Sequence, residues 1–260
     1  MIHAWLDLPL NLIFLTLVLL YGLSAALIYW ILFRSPARRR VQTFTGVVGP
    51  YFGAIGVLFA LLTGFLGAEV TDRNRQAARS VRAESSAIEA LTSLSHAAGA
   101  DGAAIRASVR SYLDAVLKQE WEVMSASASA PAAAEALGAI YTTVAKPAVA
   151  SAGGTPVQNS LLGATVRVAT ARADRLSLAV DRSYELEWAS VLLLGIFTQI
   201  ALGFVHLEKP RAMLAAVGLF SVAAVVALGL IAAQENPFDP PIEVSNAPLL
   251  RTLANVPAEP

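Results

Sequence analysis

The sequence predicts an all-α, polytopic membrane protein with four transmembrane helices and a long helical domain inserted between the second and third. Three observations indicate this fold class. The 260 residues are 56% hydrophobic and only 15% charged, with a mean hydropathy of +0.59, whereas soluble domains carry about 25% charged residues. Four runs lack charge over the length that a helix needs to cross the hydrocarbon core. The polar middle of the chain spaces its apolar residues as a helix does.

The first span is predicted at residues 8–33. No residue between Asp7 and Arg34 is charged, and a charge within the hydrocarbon core is costly. A cleaved signal peptide, with a weak cleavage site at Ser24, is the alternative interpretation. It is disfavoured because no basic residue precedes the run, which is also longer than the usual apolar segment of about 7–15 residues.

The other three spans follow from the same reasoning. The second is predicted at residues 45–68, the third at 188–207 with Trp188 as an interface anchor, and the fourth at 212–234. The loop between the last two is so short that it predicts a tight antiparallel return. Lipid is therefore the expected solvent of four helices.

Residues 69–187 are predicted to form a helical domain outside the membrane, and residues 235–260 a Pro-rich tail. The second span continues without Pro or Gly into a long charged helix, which Gly99 and Gly102 should break. Asp101 is expected to cap the next helix. Apolar residues follow it at helical spacing: Ile105, Val109, Tyr112, Leu113, Val116, Leu117, Trp121 and Met124.

Two further helices complete the predicted domain. One starts at Pro131, where a missing N–H costs little, and runs to Lys146. A loop with Gly153 and Gly154 follows. The last helix is predicted to run from about Val157 into the third span without interruption.

The sequence lacks the patterns that carry catalysis or cofactor binding. It contains no cysteine, its three histidines are isolated, and GxSxG, GxxxxGK[ST], HExxH and GxGxxG are absent. A net charge of zero without a basic face gives no indication of nucleic acid. We therefore expect no enzyme, no metal, no cofactor and no nucleic-acid partner.

Small residues recur along the second span and predict close helix packing, because they let two backbones approach. They are Gly49, Gly53, Gly56, Ala60, Gly64 and Ala68. Beside this stripe lie Val57, Leu61 and Phe65. These three either line a narrow apolar pore in an oligomer or simply face lipid or the bundle, and periodicity alone favours the second reading.

A polar cluster near the end of the predicted domain allows two interpretations. Arg172 and Arg175 share one helical face. They either belong to a solvated or ion-paired surface, which is the more frequent case, or form with Arg73 a basic vestibule that concentrates anions near a pore mouth.

Several motifs resemble a bacterial membrane family of unknown function that is described as bestrophin-like. They are YFGAIGVLFALLTGF at 51–65, ESSAIEAL at 84–91, YLDAVLKQEWEVM at 112–124, NSLL at 159–162, RADRL at 172–176 and NPF at 236–238. Together they extend over nearly the whole chain. The family usually has a Gly near the last motif, where this chain has DPP.

The bestrophins themselves show a shorter resemblance. Phe65 precedes TDRNRQAAR, in which Asp72, Arg73 and Ala77 match the run where the second bestrophin helix leaves the membrane, while an aromatic pair of that run is replaced. The resemblance implies a pentameric channel for small anions such as chloride in the bacterial inner membrane. It places Val57, Leu61 and Phe65 in the neck. Calcium gating is not implied, because the acidic calcium-binding cluster of animal bestrophins has no counterpart here.

Two questions stay open at this stage. Short basic loops, including the one after the first span, predict that the inserted domain lies outside the cytoplasm. The cytoplasmic side is predicted instead by the arginines at the membrane-proximal ends of that domain and by the resemblance.

The alternative function is a non-conducting membrane scaffold or sensor whose helical domain binds a partner.

Overall fold

The structure, a computed structural model, describes residues 2–36, 38–41, 43, 49–99, 101–126, 128–240 and 242–257. Of the described residues, 84% are helical, and four of the helices they form are long and apolar enough to cross a membrane. No strand occurs in the described ranges. The predicted fold class is therefore confirmed, although residues 45–48 of the predicted second span lie outside the described residues.

Twelve α-helices occur in the described part of the chain. They are α1 (Ile2–Leu6), α2 (Leu10–Phe33), α3 (Arg38–Val41), α4 (Gly49–Ser95), α5 (Asp101–Ala115), α6 (Trp121–Met124), α7 (Pro131–Val144), α8 (Pro147–Gly153), α9 (Thr155–Val180), α10 (Glu185–Val205), α11 (Pro210–Ala232) and α12 (Ala247–Asn255). A 3₁₀ turn follows α4 at His96–Ala98, and a π-helix joins α5 to α6 at Val116–Glu120. The chain divides into two compact units: a membrane unit of Met1–Thr71 and Ser183–Glu235, and an inserted unit of Asp72–Arg182 and Asn236–Pro260.

Close helix packing holds the membrane unit together, because α2 packs against both α10 and α11. Tyr21 of α2 is fully buried, and a Cβ atom built at Gly195 of α10 would lie 2.1 Å from its hydroxyl. A Cβ atom at Gly203 would lie 2.7 Å from Leu32 Cδ1. The two glycines thus permit an approach between α2 and α10 that a larger residue would prevent.

A buried glutamine links three spans of the membrane unit. Gln199 of α10 donates through Nε2 to the Tyr21 carbonyl of α2 at 3.0 Å and to Ser221 Oγ of α11 at 2.8 Å. Its Oε1 accepts from Ser24 Oγ at 2.5 Å. Since lipid offers no hydrogen-bonding groups, such contacts between spans contribute about 0.6 to 2 kcal/mol each.

Trp188, the predicted interface anchor of the third span, packs against α1, and its position at the membrane interface stays a prediction. Its side chain is fully buried, and its ring lies 5.5 Å from the ring of Trp5, centroid to centroid, in a T-shaped contact. Trp5 belongs to α1, which was not predicted because five residues are too few for a recognisable period.

The prediction of one continuous helix from the inserted domain into the third span is wrong. Helix α9 ends at Val180 and α10 begins at Glu185. The backbone N–H of Ser183 donates to Glu235 Oε1 at 2.6 Å, and its Oγ donates to Oε2 of the same carboxylate at 3.2 Å. Because Glu235 takes this N–H, it is not available to the carbonyl that would continue a helix.

The inserted unit follows the predicted pattern closely. Gly99, at a φ of 61°, ends the 3₁₀ turn after α4. Helix α5 begins at Asp101, which is its first helical residue and does not occupy the predicted cap position before the helix. Gly102 lies inside α5 and does not break a helix. A Cβ atom there would lie 2.1 Å from the Ser95 carbonyl oxygen, so the small residue permits a close backbone contact.

The core of this unit is formed largely by the predicted apolar positions of α5 and its continuation. Six of them are buried: Ile105, Val109, Tyr112, Leu113, Val116 and Met124. Leu117 and Trp121 are partly buried against them. Helix α7 begins at Pro131 as predicted, whereas α8 occupies part of a predicted loop and only Gly154, at a φ of 82°, separates it from α9.

The predicted Pro-rich tail contains a packed helix. Leu249 and Thr252 of α12 are buried. Thr252 Oγ1 lies 2.7 Å from Ser85 Oγ and donates to Glu89 Oε1 at 3.2 Å, which fixes α12 to α4. The tail therefore belongs to the core of the inserted unit.

We expect the substitution Gly195→Ala to destabilise the protein, because its methyl group would overlap the Tyr21 hydroxyl. Overpacking of this kind costs about 1–3 kcal/mol. The thermal midpoint of the detergent-purified protein, followed by tryptophan fluorescence, measures the effect. Gly218→Ala is the matched control, because a Cβ atom there meets no atom within 4 Å. Equal midpoints for the two variants would contradict the described packing.

Candidate functional site: an uncovered membrane helix and a buried charge cluster

The three predicted pore residues lie on a face of α4 that its own chain leaves open. Val57 is 58% exposed, Leu61 50% and Phe65 66%. Only 11% of the most apolar stretch of α4 is buried, compared with 22% for α2 and 28% for α11. Among the four candidate spans, α4 is thus the one least covered by its own chain.

The small-residue stripe of α4 is also uncovered in the described chain. A Cβ atom built at Gly53 or Gly64 would meet no atom within 4 Å, and one at Gly56 would meet only the Phe52 ring of the same helix. Ala60 and Ala68 are exposed, and the surroundings of Gly49 lie outside the described side chains. The predicted helix packing thus has no partner among the described residues, and it stays a prediction about contacts between chains.

Four charged side chains form a buried cluster in the inserted unit. Arg175 of α9 donates through Nε to Glu84 Oε2 at 2.7 Å and through Nη2 to Glu84 Oε1 at 3.2 Å. The same Nη2 donates to Glu120 Oε1 at 2.9 Å. Arg172, one turn earlier, holds both oxygens of Glu120. Two carboxylates therefore balance two guanidinium groups.

Uncharged side chains complete the cluster. The Tyr112 hydroxyl donates to Glu84 Oε1 at 2.5 Å. The Trp121 ring centroid lies 5.7 Å from Arg175 Cζ, and the Met124 sulfur contacts Nη1 of the same arginine. Side chains from α4, α5, the π-helix, α6 and α9 thus meet at Arg175, which is fully buried.

The π-helix explains how Glu120 enters this interior. A π-helix adds a residue to one turn and changes which side chains face inward. In this turn Val116 and Glu120 are both fully buried, and Glu120 Oε2 also accepts from the backbone N–H of Ala130 at 3.4 Å. The carboxylate therefore satisfies backbone and side-chain donors together.

The electrostatics of the cluster keep its charges fixed. Burial by itself raises the pKa of Glu120, but the hydrogen bond from Arg172 and the charge of Arg175 outweigh it and lower this pKa below its ordinary 4.5. Burial would lower the pKa of Arg175, yet the charge of Glu84 raises it well above its usual value. Burial and the nearby Glu84 carboxylate raise the pKa of Tyr112. The lowered pKa of Glu120 and the raised pKa of Arg175 therefore favour the charged forms of both groups near neutral pH.

The arginines of the predicted basic vestibule do not form an open surface in the described chain. Arg175 is fully buried, the Arg172 side chain is 12% exposed, and Arg73 is 8% exposed. For Arg172 and Arg175 the structure shows the ion-paired alternative, because Glu84 and Glu120 bind them directly. A mobile anion would have to compete with two fixed carboxylates.

Glu84 and Glu120 were not among the predicted site residues, although the sequence around each carries a recognisable pattern. Each is an acidic residue on the buried face of a helix: Glu84 lies between Val81 and Ile88, and Glu120 follows Val116 by one turn. A carboxylate on such a face needs a cationic partner. As for metals, the described residues contain no group of three or more His, Cys, Asp or Glu placed to bind one.

The fold and these features define a class: a polytopic, all-helical membrane protein with a helical domain inserted between its second and third spans. The Bestrophin-like domain model matches residues 19–249, and the chain belongs to this bestrophin-like family. The resemblance stated from the sequence motifs is confirmed.

Solved structures show the same fold. The chain is 14% identical to a membrane protein of known crystal structure, with a TM-score of 0.67 over 95% of this chain and 97% of that one. Two variants of a bacterial bestrophin homologue from Klebsiella pneumoniae are also 14% identical, with TM-scores of 0.66 and 0.68. The first alignment covers 95% of this chain and 97% of the homologue, and the second covers 94% of this chain and 95% of the homologue. No curated protein matches the sequence.

We expect Arg175→Met to cost about 3–5 kcal/mol of unfolding free energy, because it leaves Glu84 buried without its cation. The double variant Glu84→Gln/Arg175→Met should recover much of this loss, since it removes both charges. Thermal unfolding of the detergent-purified full chain, followed by circular dichroism, measures both. A single variant as stable as the wild type, or a double variant no better than the single one, would contradict the proposed pairing.

The pH dependence of stability should show the depressed pKa of Glu120. Its ion pair stabilises the fold above the unfolded pKa of about 4.5, and this contribution is lost as the pH falls through the lower folded pKa. The wild-type thermal midpoint should therefore fall more steeply than that of Glu120→Gln as the pH is lowered below about 4.5. Parallel curves for the two proteins would rule out this contribution.

Proposed function

We propose that the protein is a homo-oligomeric, anion-permeable channel of the bacterial inner membrane. In this proposal the α4 helices of several subunits surround a common axis, with Val57, Leu61 and Phe65 forming an apolar neck. Family membership and the shared fold support the class of protein. The bestrophin resemblance of the sequence suggests five subunits.

The observation that carries the proposal is the uncovered apolar face of α4. The four spans of one chain leave this face open, as the exposure of Phe65 at 66% shows. A Cβ atom built at Gly53 or Gly64 also meets no atom of the described chain within 4 Å. Copies of α4 packed through this small-residue stripe would cover it and would leave the larger side chains beside it to line a central opening.

An apolar neck suits a channel that opens and closes by small movements. Water leaves a narrow hydrophobic constriction spontaneously, and ions do not cross a dewetted segment. Three successive positions one turn apart would make such a constriction about two turns long. A slight widening would rewet it, so that a small rotation of α4 gates conduction.

Anion flux into liposomes that contain the purified protein tests this function. We expect chloride-dependent flux, and we expect Phe65→Ala to raise it severalfold because the smaller side chain widens the neck. Leu219→Ala is the control: this leucine of α11 is 75% exposed and lies outside the proposed neck.

Silence of both the wild type and Phe65→Ala would refute the channel and would favour a non-conducting scaffold or sensor. Native mass spectrometry of the same preparation gives the number of subunits. A monomer would contradict the proposal independently, because four helices are too few to surround a central pore.

A further inference from the structure

Helix α4 carries three exposed arginines on one side within the inserted unit. Arg75, Arg79 and Arg82 follow each other at intervals of four and three residues, which is the spacing of neighbours on one helical face. All three side chains are exposed, in contrast to Arg73, which is buried. They form a cationic stripe, defined here as Arg75, Arg79 and Arg82.

The cationic stripe is not neutralised by the chain that carries it. Within the described residues, none of its three arginines takes part in an ion pair, a hydrogen bond or another electrostatic contact. Asp72 is the one acidic residue between Val70 and Ala83. Its Oδ2 accepts from Gln76 Nε2 at 2.9 Å. The stripe therefore keeps a net positive charge, unlike Arg172 and Arg175.

The spacing of the stripe relates it to the proposed neck. Arg75 and Arg79 each follow a neck residue, Val57 and Leu61 respectively, by eighteen residues. Eighteen residues make five turns of an α-helix at 3.6 residues per turn. In an oligomer whose α4 helices surround an axis, each subunit would thus contribute the same two arginines to one mouth of the pore.

We propose that Arg75 and Arg79, supported by Arg82, form the surface that concentrates small monovalent anions at this mouth of the channel. The inference rests on the proposed function and names residues that set its preference for anions. Several copies of an uncompensated charge around one axis add their potentials and raise the local concentration of counter-ions. In this proposal the arginines attract hydrated anions, and the apolar neck controls conduction by dewetting.

Flux measurements at two salt concentrations test the proposal. The double variant Arg75→Gln/Arg79→Gln should reduce chloride flux about threefold or more at low salt. The reduction should shrink at high salt, because the screening length falls from about 10 Å at 0.1 M to about 3 Å at 1 M. Arg167→Gln, which removes an exposed arginine of α9, is the matched control and should behave as the wild type does. Thermal midpoints confirm that all variants are folded.

Three outcomes would overturn the proposal while leaving the channel itself intact: an unchanged flux in the double variant, a reduction that does not depend on salt, or an equal reduction in Arg167→Gln. Lipid headgroups are another source of anions. A reduction seen only in vesicles with phosphatidylglycerol, and absent in pure phosphatidylcholine, would assign the stripe to lipid binding and refute its role at the pore. A silent wild type would instead refute the proposed function.

Discussion

The ion pair between Arg175 and Glu84 is the interaction on which the inserted unit depends. Both side chains are fully buried, and an isolated buried charge would cost several kcal/mol. A well-packed apolar pair is often at least as stable as a buried ion pair, and we infer that this pair contributes mainly to specificity. The guanidinium is satisfied only when α4, α9 and the π-helix are all in register, because its donors reach Glu84 and Glu120 together. Neighbouring contacts, including Tyr112 on Glu84, complete this one arrangement.

The membrane unit and the inserted unit use polar groups for different purposes. In the inserted unit, full charges face each other, and burial of Arg175 is offset by Glu84 and Glu120. In the membrane unit, the link that joins three of the spans is neutral: Gln199 connects to Ser221 and to Ser24 without a formal charge. This difference agrees with the greater cost of charge in lipid. Among the described residues, Val57, Leu61 and Phe65 on the open side of α4 have exposed apolar side chains and make neither kind of link, and the proposed contacts between subunits would use this side.

Local patterns predicted much of the fold, and contacts distant in sequence account for what they missed. The length of the uncharged runs was enough to predict the spans, and the helical spacing of apolar residues was enough to predict the core of α5. Both signals are local in sequence. The break after Val180 could not be predicted, since it depends on Glu235, which lies far along the chain. The partners of the predicted basic vestibule were also distant in sequence. Arg172 and Arg175 share a helical face as predicted, but the carboxylates that bind them come from other helices. Sequence shows where a charge lies on its helix and leaves open what it faces.

The position of Gln199 has a consequence for biogenesis. Its side-chain amide donates to one acceptor on α2 and one on α11, and it accepts from one donor on α2; these helices are the first and last of the four candidate spans. When α10 first enters the bilayer during synthesis, α11 has not yet emerged, so the Ser221 contact is missing and one N–H of the amide lacks this partner. The hydrogen bonds of Gln199 are therefore complete only after α11 has joined α2 and α10.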